Sequence, residues 1–569
     1  HSFEMFPERS IPYCLDALGA KPEEIDLIVL EQGSARWRAP IKDDFFPRVG
    51  NQFPNAKIEI INHHDAHAAS AFFCSPFDEA AILIYDGAGE VYRTHLGVTA
   101  IETETLYRGA GSRFYEIQKT LHLRDGKSNP YTQGIGKLYS EITYYVGMGK
   151  YEEGKTMGLA PYGTDSILKM FPIERWCGAQ GGYILCNSRL RYPPGAVSAR
   201  LGRRKSFADL VTVGNAYVRM QMRRVTRPLR FRMLGGSANR VMFTEPTIFP
   251  EIRLPRPRRE PKSDRLPDDY YASVAYAAQK VLEEFAYRIG KKLKDVTGSE
   301  NLCVAGGVGL NIDANKNFLD KVGFKRIFIQ PAASDTGVPL GAALWGWHAV
   351  LGQPRVWEMR SASLGRPYTD AEITAAIGRR EDKIQVRRSP DVAEEAARLI
   401  ADGKIIGWFY GGSEYGPRAL GNRSIVCDAR NPEMKDIVNK KVKHREPWRP
   451  FAASILRERQ REWFELETES PFMVLAAPVV KERQSQIPSV VHVDGTCRIQ
   501  SVTREANGRY YDLIAAFHKL TGVPLILNTS FNLAGEPIIE TPDDALRCFL
   551  ATQMDYLVLE DYLISKKSA

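Results

Sequence analysis

His63 and His67 stand four residues apart in Ile60-Ile61-Asn62-His63-His64-Asp65-Ala66-His67, and the small residues Ala68 to Ala71 that follow suit a helix. On a helix, that spacing puts both imidazoles on one face, where they can offer nitrogen to one metal ion. Downstream, the apolar run Ala80–Tyr85 predicts a buried strand that ends on Asp86-Gly87-Ala88-Gly89. A carboxylate at the end of a buried strand, followed by a glycine turn, is where α/β proteins place metal and phosphate groups. The same grammar returns in Arg326–Ile329 followed by Asp335-Thr336-Gly337. Two His and two Asp make a complete ligand set, although each alone also suits a solvated or capping role.

Other residues suit phosphate. Gly306-Gly307-Val308-Gly309-Leu310-Asn311 follows the strand-like Leu302–Ala305, and a Gly-Gly turn there lets backbone N–H groups approach a ligand. Lys155, beside Gly154 in a glycine-rich stretch from Gly134 to Gly163, can reach a phosphate, but the spacing is not that of a Walker A loop. The densest polar motif is Gly411-Gly412-Ser413-Glu414-Tyr415-Gly416-Pro417-Arg418-Ala419-Leu420-Gly421-Asn422-Arg423-Ser424. Beyond it come Lys443-His444-Arg445-Glu446, Trp448-Arg449-Pro450, Arg498 in a turn-flanked run, and Asn528-Thr529-Ser530-Phe531-Asn532 after an apolar strand. Arginines on glycine-rich loops suit bidentate capture of phosphate.

Elements must position these groups. A helix is predicted from Pro7 to Gly19, a strand over Ile25–Leu30, and a strongly amphipathic helix from about Asp268 to Leu293. Periodicity stops near Leu351-Gly352-Gln353-Pro354-Arg355 and resumes after Tyr368, with a helix over Pro390–Asp402 and a strand over Lys404–Phe409. The pattern is that of a layered α/β protein with two domains, residues 1–355 and 356–569. A chain of 569 residues is too long for one core. The eight Cys form no CxxC pair, which argues against a disulfide frame or a Cys zinc site and makes the cytoplasm the default. The N-terminus lacks the apolar core of a signal peptide, and no apolar run approaches the ~18 residues a bilayer needs. The net charge of +9 is uneven: from Arg189 to Arg265, nineteen Lys and Arg face five Asp and Glu. That segment suits an anionic partner or a solvated insertion.

With these motifs the chain resembles the O-carbamoyltransferases of the nodulation-factor, cephamycin and aminoglycoside (tobramycin) type, the NodU/CmcH family. The resemblance covers nearly the whole length and is carried by His63–Ser70, Gly306–Asn311, Glu414–Ser424 and Leu527–Asn532. It implies an actin/Hsp70/hexokinase-like, threonylcarbamoyl-transferase-like ATPase domain followed by a YrdC-like domain with a twisted sheet. It implies that Arg418, Arg423, Lys443, Arg449, Arg498, Asn528 and Ser530 bind carbamoyl phosphate and ATP with Mg2+, and that carbamoyl-adenylate forms there. The adenylate would then reach Asp86, Gly87, Lys155, Gly306, Gly307, Asn311 and Asp335. There His63, His67, Asp86 and Asp335 would hold a divalent metal, Fe(II), while His1, His64 and Lys155 act in transfer to a hydroxyl of a small-molecule acceptor. The resemblance admits a homodimer and requires neither membrane nor specific nucleic acid.

Relatives usually open on a β-hairpin that is absent before His1, so a truncated N-terminus is expected, and the basic insertion at about 198–265 falls where such enzymes vary. Its few aromatics favour acceptor recognition over base stacking. Three alternatives stay open: a hydrogenase-maturation carbamoyltransferase, disfavoured by the missing CxxC motifs; a tRNA threonylcarbamoyl transferase, whose two halves would be separate proteins; and a non-catalytic actin-like ATPase, which would not need His63, His67 or the arginine loops.

Overall fold

The computed structural model describes residues 10–31, 46–93, 99–124, 134–171 and 269–567. His1, the Val218–Arg232 stretch expected to be helical and the basic insertion lie outside the described residues. The predicted first helix runs over Ser10–Leu18.

Among the described residues, the strands before residue 330 form two sheets. A small parallel pair joins β1 (Leu27–Glu31) to β2 (Lys57–Ile61), with Glu31 opposite Ile61. The larger sheet has the order β4-β5-β3-β7-β8, with β6 on β5: β3 (Glu79–Tyr85), β4 (Val91–Arg93), β5 (Thr99–Ala110), β6 (Arg113–Arg124), β7 (Asn301–Ala305) and β8 (Arg326–Ile329). The parallel trio β3, β7 and β8 is buried, so it reads as continuous apolar runs. Its strands end side by side, Ile84 opposite Ala305 and Val304 opposite Ile329, which brings the loops after Tyr85, Ala305 and Ile329 together.

Helix α1 (His63–Phe72) starts where β2 stops, capped by Asn62, whose side-chain oxygen accepts from the N–H groups of His64 and Asp65. Helix α2 (Asp269–Thr297), the predicted amphipathic helix, runs four residues beyond Leu293. Helix α3 (Val338–Trp345) crosses α1 at Gly341, where a Cβ would sit only 1.8 Å from the Ala66 carbonyl oxygen. Small residues on both helices permit this approach, and it carries the preceding Asp335 turn onto the histidine face.

The remaining strands build a nine-stranded mixed sheet of order β13-β14-β12-β15-β11-β10-β16-β17-β9: β9 (Ile384–Arg388), β10 (Ile406–Phe409), β11 (Arg423–Cys427), β12 (Ala452–Leu456), β13 (Ala476–Pro478), β14 (Thr496–Val502), β15 (Leu525–Ser530), β16 (Tyr556–Leu559) and β17 (Tyr562–Lys566). Arg498 and Asn528 flank Ala452 across β14, β12 and β15, while Ser424 faces Ser530. The architecture is α/β. Among the described residues no helix is long and apolar enough to cross a membrane.

Candidate functional site

The ends of these elements converge on four side chains. One ligand atom each from His63, His67, Asp86 and Asp335 lies within 4.8 Å of all the others. His63 Nε2 is 3.2 Å from His67 Nε2, 3.5 Å from Asp86 Oδ2 and 3.6 Å from Asp335 Oδ1, and His67 Nε2 is 3.7 Å from that same Asp335 oxygen. Two imidazole nitrogens facing each other at this distance cannot both be bare without repelling; a shared proton or a cation resolves the clash. The donors are those a divalent transition metal takes, so the residues fit one. Burial lowers the His63 pKa, but the bonds to Asp335, Asp86 and Glu31 outweigh it and hold the imidazole well above its ordinary value. Burial raises Asp86 and Asp335, yet the bond to His63 holds both carboxyls below the usual range, assisted for Asp335 by His67.

His64 is not brought to this group. One residue along a helix turns the side chain about 100°, so His64 leaves the ligand face and its Nδ1 lies 2.7 Å from Thr105 Oγ1. Burial pushes its pKa down to about 4, which leaves it neutral. His64, expected to act in transfer, thus packs behind the four ligands rather than among them. The Gly-Gly turn is also redirected. Gly306 has φ +92° and a Cβ there would lie 2.4 Å from the Tyr85 carbonyl oxygen, while the Gly307 N–H donates to Asp86 Oδ1 at 2.8 Å. The turn therefore orients a carboxylate of the site as well as lining it. Asn311 caps the next helix and exchanges hydrogen bonds with Gln279.

A cavity of about 1660 Å³ opens beside the four ligands and continues to the nine-stranded sheet's loops. Asp86, Gly87, Gly307 and Asp335 line one part, and Arg418, Arg449 and Asn532 another. Lys155 lines it between them, on the short helix Glu153–Leu159 rather than in a loop. The burial of Met157 and Leu159 outweighs the low helix propensity of the glycines there.

Around the second part the cations crowd. Burial first, then the charges of Arg498 and Arg449, lowers Arg418 well below its ordinary pKa, and burial with Arg449 and Arg498 does the same to Arg445. Burial brings Arg498 to about 10 and Lys443 to about 7. The Nε groups of Arg418 and Arg498 are buried without a hydrogen-bond partner among the described residues. Lys443 Nζ donates to Ser530 O at 2.9 Å and to Asn532 Oδ1 at 2.5 Å. A cluster of half-buried arginines around a buried lysine, mutually repelling and with unused donors, calls for an anion.

Two expected binders lie elsewhere. Arg423 donates to the carbonyls of Gly411 and Asn422 at 2.9 and 3.0 Å and lies over the Phe409 ring, so it ties the glycine loop to β10. Asn528 donates to Ala419 O and Ser454 Oγ within the sheet. Arg445, Glu446, Asn532 and Glu31 also reach this group; the first three stand in motifs quoted from the sequence but without a role of their own, and Glu31 was not singled out. Arg445 stands two residues after Lys443 and Asn532 two after Ser530, so local spacing carried a signal; Glu31 had none.

Residues 48–344 match the family described as carbamoyltransferase N-terminus, and residues 397–566 match carbamoyltransferase C-terminus. The chain belongs to the carbamoyltransferase family. It is an enzyme of carbamoyl transfer. It is 33% identical to nodulation protein NolNO of Sinorhizobium fredii, over 99% of this chain and 75% of that protein. It is 34% identical to nodulation protein NolO of Bradyrhizobium diazoefficiens, over 90% of this chain and 79% of that one. Full-length HypF in its phosphate- and nucleotide-bound form is 12% identical over 62% of this chain and 50% of its own, with a TM-score of 0.28, too slight a likeness to argue from.

Proposed function

We propose that this carbamoyltransferase is ATP-dependent and works in two half-reactions at the two ends of the shared cavity. In the first, carbamoyl phosphate, ATP and one water give carbamoyl-adenylate, phosphate and pyrophosphate. Arg418, Lys443, Arg445, Arg449 and Arg498 bind the phosphate groups, with Ser530 and Asn532 fixing the lysine. In the second, an acceptor hydroxyl attacks the carbamoyl carbon, the bond to the AMP oxygen breaks, and AMP leaves. His63, His67, Asp86 and Asp335 would hold a divalent metal, Fe(II) in this reading, which supplies Lewis-acid polarisation when bound. Lys155 offers a cation to the adenylate phosphate between the two ends. In this reading the first part of the chain is threonylcarbamoyl-transferase-like and the second YrdC-like, and the acceptor is a small molecule rather than a nucleic acid.

The observation that carries the proposal is the continuity of one cavity from the Asp86–Asp335 wall to the Arg418–Arg449 wall. Carbamoyl phosphate is a dianion, and fixed guanidinium donors suit it, whereas imidazole and carboxylate ligands do not. The test has two readouts: ATP/pyrophosphate exchange that depends on carbamoyl phosphate, and a carbamoyl mass increment on candidate alcohols. Exchange that proceeds equally without carbamoyl phosphate would refute the first half-reaction.

A further inference from the structure

We propose that Glu31 is a positioning residue of the metal group: it holds the Nδ1 proton of His63 and so keeps the Nε2 lone pair aimed at the ion. Glu31 Oε1 lies 2.9 Å from His63 Nδ1, with the carboxylate side chain 23% exposed. An imidazole that ligates an ion is neutral and has one N–H, and a carboxylate accepts but cannot donate, so beside Glu31 the proton stays on Nδ1 and Nε2 is the nitrogen given to the ion. That Nε2 faces His67, Asp86 and Asp335. A carboxylate behind a ligating histidine fixes its tautomer and ring orientation and raises its basicity.

The fold explains how a residue 32 positions away reaches this place. Glu31 ends β1 opposite Ile61, the last residue of β2, and Asn62 then turns the chain into α1 with His63 as its first residue. The small sheet, separate from both larger ones, brings the carboxylate alongside the start of the helix. The other imidazole lacks this support: His67 Nδ1 is buried with no hydrogen-bond partner among the described residues. The two histidines are therefore unequal ligands: a carboxylate backs the Nδ1 of His63, and nothing among the described residues backs that of His67.

This inference rests on the metal reading, and the test separates the two. Co(II) is titrated into the metal-free full chain against a competing chelator, and its visible absorption is recorded. Wild-type protein should bind one Co(II) and His67→Ala none. Glu31→Gln, which keeps the shape and removes the charge, should bind ~10- to 100-fold more weakly, while the metal-free variant unfolds at the wild-type temperature. Glu31→Asp, withdrawn by one methylene, should fall between, and it carries the test where Glu31→Gln does not fold. Wild-type affinity in these variants overturns the role of Glu31 and leaves the metal reading standing; a wild-type chain that binds no Co(II) removes both.

Discussion

Lys155, which lines the cavity, pairs with Glu446, Nζ to Oε1 at 3.1 Å, although 291 positions separate them in the chain. Glu152 holds the other side of Lys155 at 2.6 Å, and the second Glu446 oxygen lies 3.7 Å from Arg449 Nη1. Glu446 thus partly neutralises both Lys155, midway along the cavity, and Arg449 at its cationic end. Its replacement removes one negative charge from beside both cations, with Glu152 still paired to Lys155, and so strengthens their pull on phosphate.

Glu446→Gln should therefore bind pyrophosphate several-fold more tightly than wild type at low salt, with a steeper loss of affinity as salt rises. Isothermal calorimetry in two ionic strengths measures this. Weaker binding in the variant would mean that Glu446 serves chiefly to hold Arg449 in place.

The two ends should fail separately. His67→Ala should lose bound metal and acceptor carbamoylation while keeping carbamoyl-dependent ATP/pyrophosphate exchange, and chelator treatment of wild type should do the same. Arg449→Ala should lose exchange and keep the metal. Metal analysis beside the exchange assay reads both, and loss of exchange in His67→Ala would place adenylate formation at the metal group.

What the sequence carried follows from how local each signal is. The HxxxH spacing is a helix property, and Asp86 and Asp335 stand at the ends of short apolar runs, so local pattern sufficed for those four. Glu31 reaches His63 through a two-stranded pairing, and Glu446 reaches Lys155 through packing between distant elements; neither spacing exists in the chain. Arg423 shows the converse. Its glycine loop looks like a phosphate loop, but the tight turns in it leave carbonyls that need a buried donor, and Arg423 supplies it. Type and spacing do not reveal which arginine of such a loop faces ligand and which holds the loop.

Arg423 and Arg418 should accordingly behave in opposite ways. Arg423→Ala leaves buried carbonyls without donors and removes the Phe409 contact, which should cost about 2–4 kcal/mol of stability. Arg418→Ala removes a half-buried charge that Arg498 and Arg449 repel, so the unliganded protein should unfold at or above the wild-type temperature while phosphate binding is lost. Thermal unfolding with and without phosphate distinguishes them; an Arg423 variant of wild-type stability that fails to bind phosphate would return that residue to the binding site.

Lys443 makes the anion site sensitive to pH. Burial, with the charge of Arg445, brings its pKa down to about 7 in the free protein, whereas in the unfolded chain a lysine titrates near 10.4. Between these values the unfolded state binds the extra proton, so this lysine makes the unliganded protein more stable as pH rises from about 7 towards 10. A bound phosphate dianion favours the ammonium and takes up a proton in the same window. Phosphate or pyrophosphate affinity should therefore fall as pH rises above about 7, by up to roughly tenfold per unit, against the trend in stability. Calorimetry at pH 8 in buffers of different ionisation enthalpy should show proton uptake approaching one per anion. Lys443→Arg keeps its charge throughout, so its affinity should change little across the window. A wild-type profile as flat as that of Lys443→Arg, with no proton uptake, would mean that Lys443 is already an ammonium in the empty site, held by the Ser530 and Asn532 oxygens.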